Sequence, residues 1–252
     1  MNQYNNLGCK VDNNGVAFIS IEREPVNALS YDFLKNLSLL FHELNKDDKV
    51  RIIILTSSLK HFSAGADLKE RSIMSDEKSK NALDNFNDCF INIENCSKIT
   101  ICGINGYCLG GGAELSLCFD LRVADDTAII GFPEVGIGII PGAGGTQRLP
   151  KIIGLSNAKY WIYSAKKFNS DEALKYGFVN FKASHNVLDK CIEIANDIIK
   201  NAPISLIASK DAINNGFGKN IKEGLKIERK SYNKTLITED RKEALNAFVE
   251  KR

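Results

Sequence analysis

An α/β core that gives way to a run of helices is the architecture this sequence predicts, and three observations carry it. Short stretches dominated by β-branched residues alternate with segments of helical periodicity through roughly the first two-thirds of the 252 residues. After Pro150 the alternation stops and helix follows helix. No flexible linker marks the change, so the helices are expected to be an annex packed on the first part or on a neighbouring subunit.

Taken in order, Gly15 to Ile21 and Val50 to Thr56 read as strands because β-branched residues dominate both. Between them Phe33, Leu34, Leu37, Leu40, Phe41 and Leu44 recur at helical spacing. A polar amphipathic segment from Asp76 to Cys96 leads to the strand Ile99 to Ile104, and short strands return at Leu121 to Ala124 and Thr127 to Ile130. The helices that follow run from Leu155 to Ser164, Ser170 to Tyr176, Val187 to Asn201, Pro203 to Asn215, and Lys219 to Phe248 with a break near Thr238. Pro203 suits a first helical turn, and Thr238 followed by Glu239 and Asp240 reads as a cap with acidic residues behind it.

Composition excludes several classes of function. Hydrophobic residues make up 44% and charged residues 25% of the chain, which is ordinary for a globular protein. Lysine and arginine number 33 against 31 acidic residues, a net charge of +2, so no global field favours nucleic acid or an acidic membrane. The helix from Tyr31 to Asn45 carries Lys35 but also Asp32 and Glu43, which is not the basic face that RNA binding needs. Seven cysteines contain no Cys-x-x-Cys pair and only three histidines (His42, His61, His185) accompany them, so neither a zinc site nor a disulfide framework is expected. The thiols read as reduced, mostly buried side chains of a cytoplasmic protein. Met1 to Asn6 has no signal-peptide character, and no apolar run reaches membrane-spanning length.

Two glutamates carry the functional reading. Glu114 sits in Gly106 to Cys118 and Glu134 in Ile129 to Gly142, stretches so apolar and glycine-rich that a solvated carboxylate is out of place. Three glycines, Gly110 to Gly112, precede the apolar helical run Ala113 to Phe119; such a turn exposes N–H groups able to hold an oxyanion, although close helix packing would explain the glycines equally well. In Phe62 to Glu70, Asp67 followed by Glu70 matches a capping box that would leave the Ala66 N–H near a helix start, and an ordinary loop-to-helix corner accounts for it as well. Gly136, Gly138 and the segment Pro141 to Pro150 read as a turn-rich wall of a ligand pocket, or as plain turn punctuation.

The spaced set Asn27-Ala-Leu29, Ser63-Ala-Gly-Ala-Asp67, Leu109-Gly-Gly-Gly-Ala-Glu114, Pro133-Glu134 and Pro141-Gly-Ala-Gly-Gly-Thr-Gln-Arg-Leu149 resembles the enoyl-CoA hydratase/isomerase (crotonase) superfamily, in order and over essentially the whole chain. The resemblance implies a crotonase-like spiral of repeated β-β-α units in residues 1–195 and a helical trimerisation region in residues 196–252, assembled as a homotrimer or a dimer of trimers. It implies an acyl-CoA substrate whose thioester oxygen lies between the N–H groups of Ala66 and Gly111, with Glu114 and Glu134 as catalytic carboxylates. Relatives that only isomerise double bonds commonly keep one acid, so possession of both favours hydration. Val26, Ala28, Ala64, Asp67, Leu68, Lys69, Gly110, Pro133 and Gly142 match positions that contact substrate or CoA in the family. Lys69 also reads as an ordinary solvated lysine, and Gln147 and Arg148 as braces of their turn or of a subunit contact. The run Ala66-Asp-Leu-Lys-Glu-Arg71 with Met74-Ser75 further resembles methylglutaconyl-CoA hydratases, which adds a branched acidic acyl chain to crotonyl-CoA as a candidate. No metal or separate cofactor is expected, because the thioester is itself the electron sink.

Overall fold

Val16–Ile21 (β2) and Ile52–Ser57 (β3) lie side by side in parallel, and their residues divide strictly by parity. Ala17, Ile19, Ile21, Ile53 and Leu55 enter one hydrophobic cluster, while Val16, Ile52 and Ile54 enter a second on the opposite face. A parallel sheet buried on both faces requires this near-continuous apolar sequence. Leu7–Val11 (β1) adds antiparallel to β2, and Ile99–Ile104 (β4), Leu121–Ala124 (β6) and Phe181–Lys182 (β9) extend the sheet in parallel to the order β1-β2-β3-β4-β6-β9. The computed structural model describes residues 4–252, the side chains of Asp76 and Ser79 excepted. Met1 to Gln3, part of the segment read above for targeting signals, lie outside the described residues.

Tyr31–Lys46 (α1) begins where the Ser30 hydroxyl caps the Phe33 N–H, and it buries Phe33, Leu34, Leu37, Leu40, Phe41 and Leu44, the residues its periodicity marked. It packs with Asp76–Glu94 (α3) on the larger cluster, whereas Val187–Ile199 (α8) covers the other face through Val187, Cys191, Ile194 and Ala195.

A second, three-stranded sheet of Tyr107–Leu109 (β5), Ile129–Gly131 (β7) and Lys167–Asn169 (β8) gives the chain its spiral. From β4 the backbone passes through Asn105 and Gly106 into β5 and then into Gly111–Ser116 (α4); from β6 it passes into β7 and a 3-10 turn at Glu134–Ile137. Each circuit thus supplies one strand to each sheet, and a bridge between Ser63 and Cys108 extends the pattern to the circuit that begins with β3. The fold is the mixed α/β spiral that the resemblance implied, with the remaining helices at its C-terminal end.

Several elements differ from expectation for local reasons. Gly145–Ile153 (α5) is helical through Pro150, in a segment read as a turn-rich wall or turn punctuation; the ring removes only one N–H donor, and Leu149 and Ile153 are buried on either side of it. The helix around Glu114 spans Gly111–Ser116 rather than Ala113 to Phe119, so it starts on the glycines themselves. Strands β5, β8 and β9 are three residues or fewer, too short for a period to show, while β7 overlaps the strand expected at Thr127 to Ile130.

Leu155–Ser164 (α6) and Ser170–Tyr176 (α7) flank β8, and Trp161 of α6 stacks on Phe168 at 4.0 Å and on Phe178 at 5.3 Å as a core residue. The last helices, Pro203–Gly216 (α9), Ile221–Thr235 (α10) and Glu239–Glu250 (α11), break at Thr238, whose hydroxyl caps the Arg241 N–H. The annex is fixed to the spiral by the Lys210 ammonium, which donates to the Lys98 carbonyl at 2.8 Å and to Asp120 at 2.7 Å. Among the described residues, no helix is long and apolar enough to cross a membrane.

Candidate active site

Asn27, fully buried and in the left-handed region at φ 53°, organises the loop between β2 and α1. Its carbonyl side-chain oxygen accepts the Arg23 N–H at 2.7 Å, and its amide donates to the Ser57 hydroxyl and the His61 carbonyl. The Ser63 hydroxyl in turn donates to the Asn27 carbonyl and accepts the Gly65 N–H, so the two loops are sewn into one wall. Backbone bonds from Ala64 to Val26, from Leu29 to Gly65 and from Asp67 to Leu29 complete the seam. Val26, Ala28, Ala64, Ala66 and Asp67 are thereby brought together.

The Ala66 N–H takes no part in that seam. Nor does the Gly111 N–H enter the bonds around it: Gly110 donates to Gly131, and Glu114 donates to Gly110. A Cβ built on Gly111 would stand 3.4 Å from the Ala66 nitrogen, so the two residues lie close together. Two glycines permit the approach. Gly65 has φ +95° and a side chain there would meet the Leu109 carbonyl oxygen at 2.7 Å; Gly110 has φ +53° and would meet Glu134 Oε1 at 3.0 Å. A pair of N–H donors at a loop-helix corner and at the first turn of α4 can hold a developing oxyanion.

Both glutamates are buried, 3% and 8% exposed, but in unlike settings. Glu114 Oε1 accepts the N–H groups of Ala143 and Gly145, each at 2.8 Å. Burial pushes its carboxyl pKa up, and those two bonds, with the charges of Arg148 and Arg71, oppose the push by favouring the carboxylate. Glu134 Oε2 is buried with no hydrogen-bond partner among the described residues. Burial lifts the Glu134 pKa to about 7, and the negative charge of Glu114 adds to the rise. The net shift is upward for both carboxyls, but Glu114 has two backbone donors from a distant turn that favour its carboxylate and Glu134 has none from that turn, a difference in setting that acid–base chemistry can use.

Comparison with known proteins identifies the family. The family model for enoyl-CoA hydratase/isomerase matches residues 11–252. The chain belongs to the enoyl-CoA hydratase/isomerase family. It is 39% identical over 240 residues to the short-chain-enoyl-CoA hydratase of Clostridium acetobutylicum, covering 94% of this chain and 92% of that one. It is 39% identical over 248 residues to the mitochondrial methylglutaconyl-CoA hydratase of Mus musculus, covering 96% of this chain and 79% of that one. The crystal structure of an enoyl-CoA hydratase from Bacillus anthracis superimposes with a TM-score of 0.95 at 40% identity, covering 98% of this chain and 97% of that one.

In this enoyl-CoA hydratase/isomerase family member Pro133 and Glu134 abut Gly110, and Gly142 adjoins the Ala143–Gly145 turn that holds Glu114. Leu68 and Lys69, in the short helix Leu68–Ser72 (α2), point outward and are exposed at the rim. The capping box expected at α2 is only half formed. Asp67 caps the N–H groups of Lys69 and Glu70, but Glu70 does not return to Asp67; its carboxylate accepts the Tyr31 N–H at 3.1 Å, and the Asp67 N–H is already spent on Leu29. Arg148 braces its turn through the Ala143 carbonyl and Glu94. Sequence reading took Ala143 and Gly145 as turn residues and missed that their amides hold Glu114. The run Gly142 to Gly145 after an apolar-embedded glutamate was the available signal.

Proposed function

We propose that the protein is an enoyl-CoA hydratase, which adds water reversibly across the 2,3 double bond of a 2-enoyl-CoA thioester. The observation that carries this reading is the unequal setting of two buried carboxyls near a pair of neighbouring amides that no backbone bond around them uses. In the proposed reaction the thioester oxygen rests between the N–H groups of Ala66 and Gly111. Glu114 accepts a proton from water as the water oxygen bonds to C3, and the π electrons move through C2 to the thioester oxygen. Each amide aimed at that oxygen is worth on the order of 3 kcal/mol by analogy with measured oxyanion donors. Glu134 then gives its proton to C2 as the carbonyl re-forms, and exchange of one proton restores both carboxyls. The bonds and charges balance with the thioester as electron sink, so no metal or redox cofactor is required.

The acyl chain is short, as in crotonyl-CoA, or branched and acidic, as in 3-methylglutaconyl-CoA; both kinds of hydratase occur among the relatives. Val26, Ala28, Ala64, Asp67, Leu68, Lys69, Gly110, Pro133 and Gly142 serve substrate and CoA binding in this reading. Assembly as a homotrimer, alone or paired into a hexamer, belongs to the same proposal. Exposed apolar residues on the helical annex support it, among them Ile221, Ile237 and Phe248, each about four-fifths exposed in the single chain.

Loss of the enoyl-thioester absorbance on mixing with crotonyl-CoA or 3-methylglutaconyl-CoA tests the reaction directly. Rapid loss with one of them is expected; if neither is hydrated while a 3-enoyl-CoA is isomerised, the chain is an isomerase.

A further inference from the structure

We infer that Arg71 recognises a carboxylate at the far end of the acyl chain, which makes the preferred substrate the CoA thioester of an unsaturated dicarboxylic acid. The inference rests on the hydratase reading above and narrows its substrate class. Arg71 lies on α2, half-buried, with its guanidinium carbon 5.1 Å from the centroid of the Phe86 ring. The same ring reaches Gly111, where a Cβ would meet Phe86 Cε1 at 3.1 Å. One aromatic side chain therefore connects the oxyanion position to a cation. Leu83, three residues earlier on α3 and 3.0 Å from a Cβ built on Gly142, continues the apolar wall between them.

Arg71 lies over the Phe86 ring and its charge favours the Glu114 carboxylate, but its donors are uncommitted among the described side chains. Among the described side chains, no carboxylate lies within ion-pair distance of it and its guanidinium donates no hydrogen bond. The two carboxylates nearest in sequence are committed elsewhere, Asp67 to Arg23 at 2.7 Å and Glu70 to the Tyr31 N–H. Arg148, the other arginine whose charge reaches Glu114, is held by Glu94 and the Ala143 carbonyl. A guanidinium laid over an aromatic face keeps its in-plane donors free, and that fork matches a carboxylate bidentately. A half-buried guanidinium that lacks a hydrogen-bonded carboxylate among the described side chains gains from a substrate that brings one.

The test compares wild type, Arg71→Gln and Arg71→Lys in steady-state hydration of 3-methylglutaconyl-CoA and crotonyl-CoA, alongside calorimetric binding of glutaryl-CoA and butyryl-CoA, which differ only by a terminal carboxylate in place of a hydrogen. The ratio of kcat/KM for the two substrates is the readout, because any effect of Arg71 on Glu114 divides out of it. In Arg71→Gln the ratio is expected to fall about 10- to 100-fold in disfavour of the dicarboxylic substrate, the size of one charge-assisted hydrogen bond. Arg71→Lys retains part of the preference, and the preference for glutaryl-CoA over butyryl-CoA falls in parallel. An unchanged ratio in Arg71→Gln overturns the inference, and equal weakening of all four ligands assigns the guanidinium to a CoA phosphate instead. If wild type hydrates neither substrate but Arg71→Gln still loses the preference for glutaryl-CoA, the hydratase reading fails and the carboxylate site stands.

Discussion

Glu134 is the residue on which pH should act first. Its carboxyl pKa, lifted to about 7 chiefly by burial, means that the proton it donates is present below that pH and absent above it. The hydration rate at saturating substrate should therefore fall as pH rises through about 7, and because the two glutamates interact, the limbs of the profile belong to the pair. A profile flat from pH 6 to 9 would contradict the acid role. The same shift has a stability consequence of fixed sign. A carboxyl whose folded pKa exceeds its unfolded value contributes stability below about 4.5, lost as pH rises through about 7, so Tm should drop between pH 5 and 8.5 and drop less in Glu134→Gln. Gly110→Ala forces a Cβ onto a φ of +53° and to 3.0 Å from Glu134 Oε1; turnover should fall at least tenfold, measured at the wild-type pH optimum. Glu114, Glu134 and the glycines were legible because an acid in apolar sequence is a local anomaly. The amides that hold Glu114 come from 29 and 31 residues away, and such a contact leaves no local pattern.

At the scale of elements, α2 shows what anchors a short helix that carries no buried residue of its own. Asp67 caps it, and the Arg23 guanidinium beside Asp67, at 2.7 Å, helps to hold that carboxyl below the usual range against the effect of burial. Asp67→Ala removes cap and ion pair together and should cost about 1 kcal/mol, roughly 2–4 °C in Tm, while raising KM for acyl-CoA because Ala66 precedes the cap. Asp67→Asn keeps the cap and should recover most of the Tm loss; equal losses in both variants would place the anchor in the ion pair. Long periodic elements such as α1 and α3 were readable, since six or more apolar residues agree on one face. Helix α5 was hidden by its own proline, and β5 and β8 by their length, so β7, expected at Thr127 to Ile130, was the one strand of the second sheet that the local pattern marked.

For the whole molecule, the site is an outcome of the spiral. Successive circuits deliver the loop before α2, the start of α4 and the 3-10 turn to one place, and the annex is tied in behind by Lys210 at the start of β4. If the exposed apolar residues of the annex are subunit contacts, sedimentation equilibrium should give three or six chains, and Phe248→Asp with Ile237→Asp should shift the assembly toward single chains with loss of thermal stability. A wild-type protein that stays monomeric at micromolar concentration would contradict the assembly. The overall class and the helical end were legible from the change of pattern after Pro150, while the order of strands in two sheets depends on pairings between distant segments. The central claim, that two unlike carboxyls act on one bound thioester, is tested most directly by kcat and acyl-CoA Kd in Glu114→Gln and Glu134→Gln. Each variant should lose about 10²- to 10⁴-fold in kcat for enoyl-CoA hydration with Kd within a few-fold of wild type. Turnover close to wild type in either variant would contradict the account.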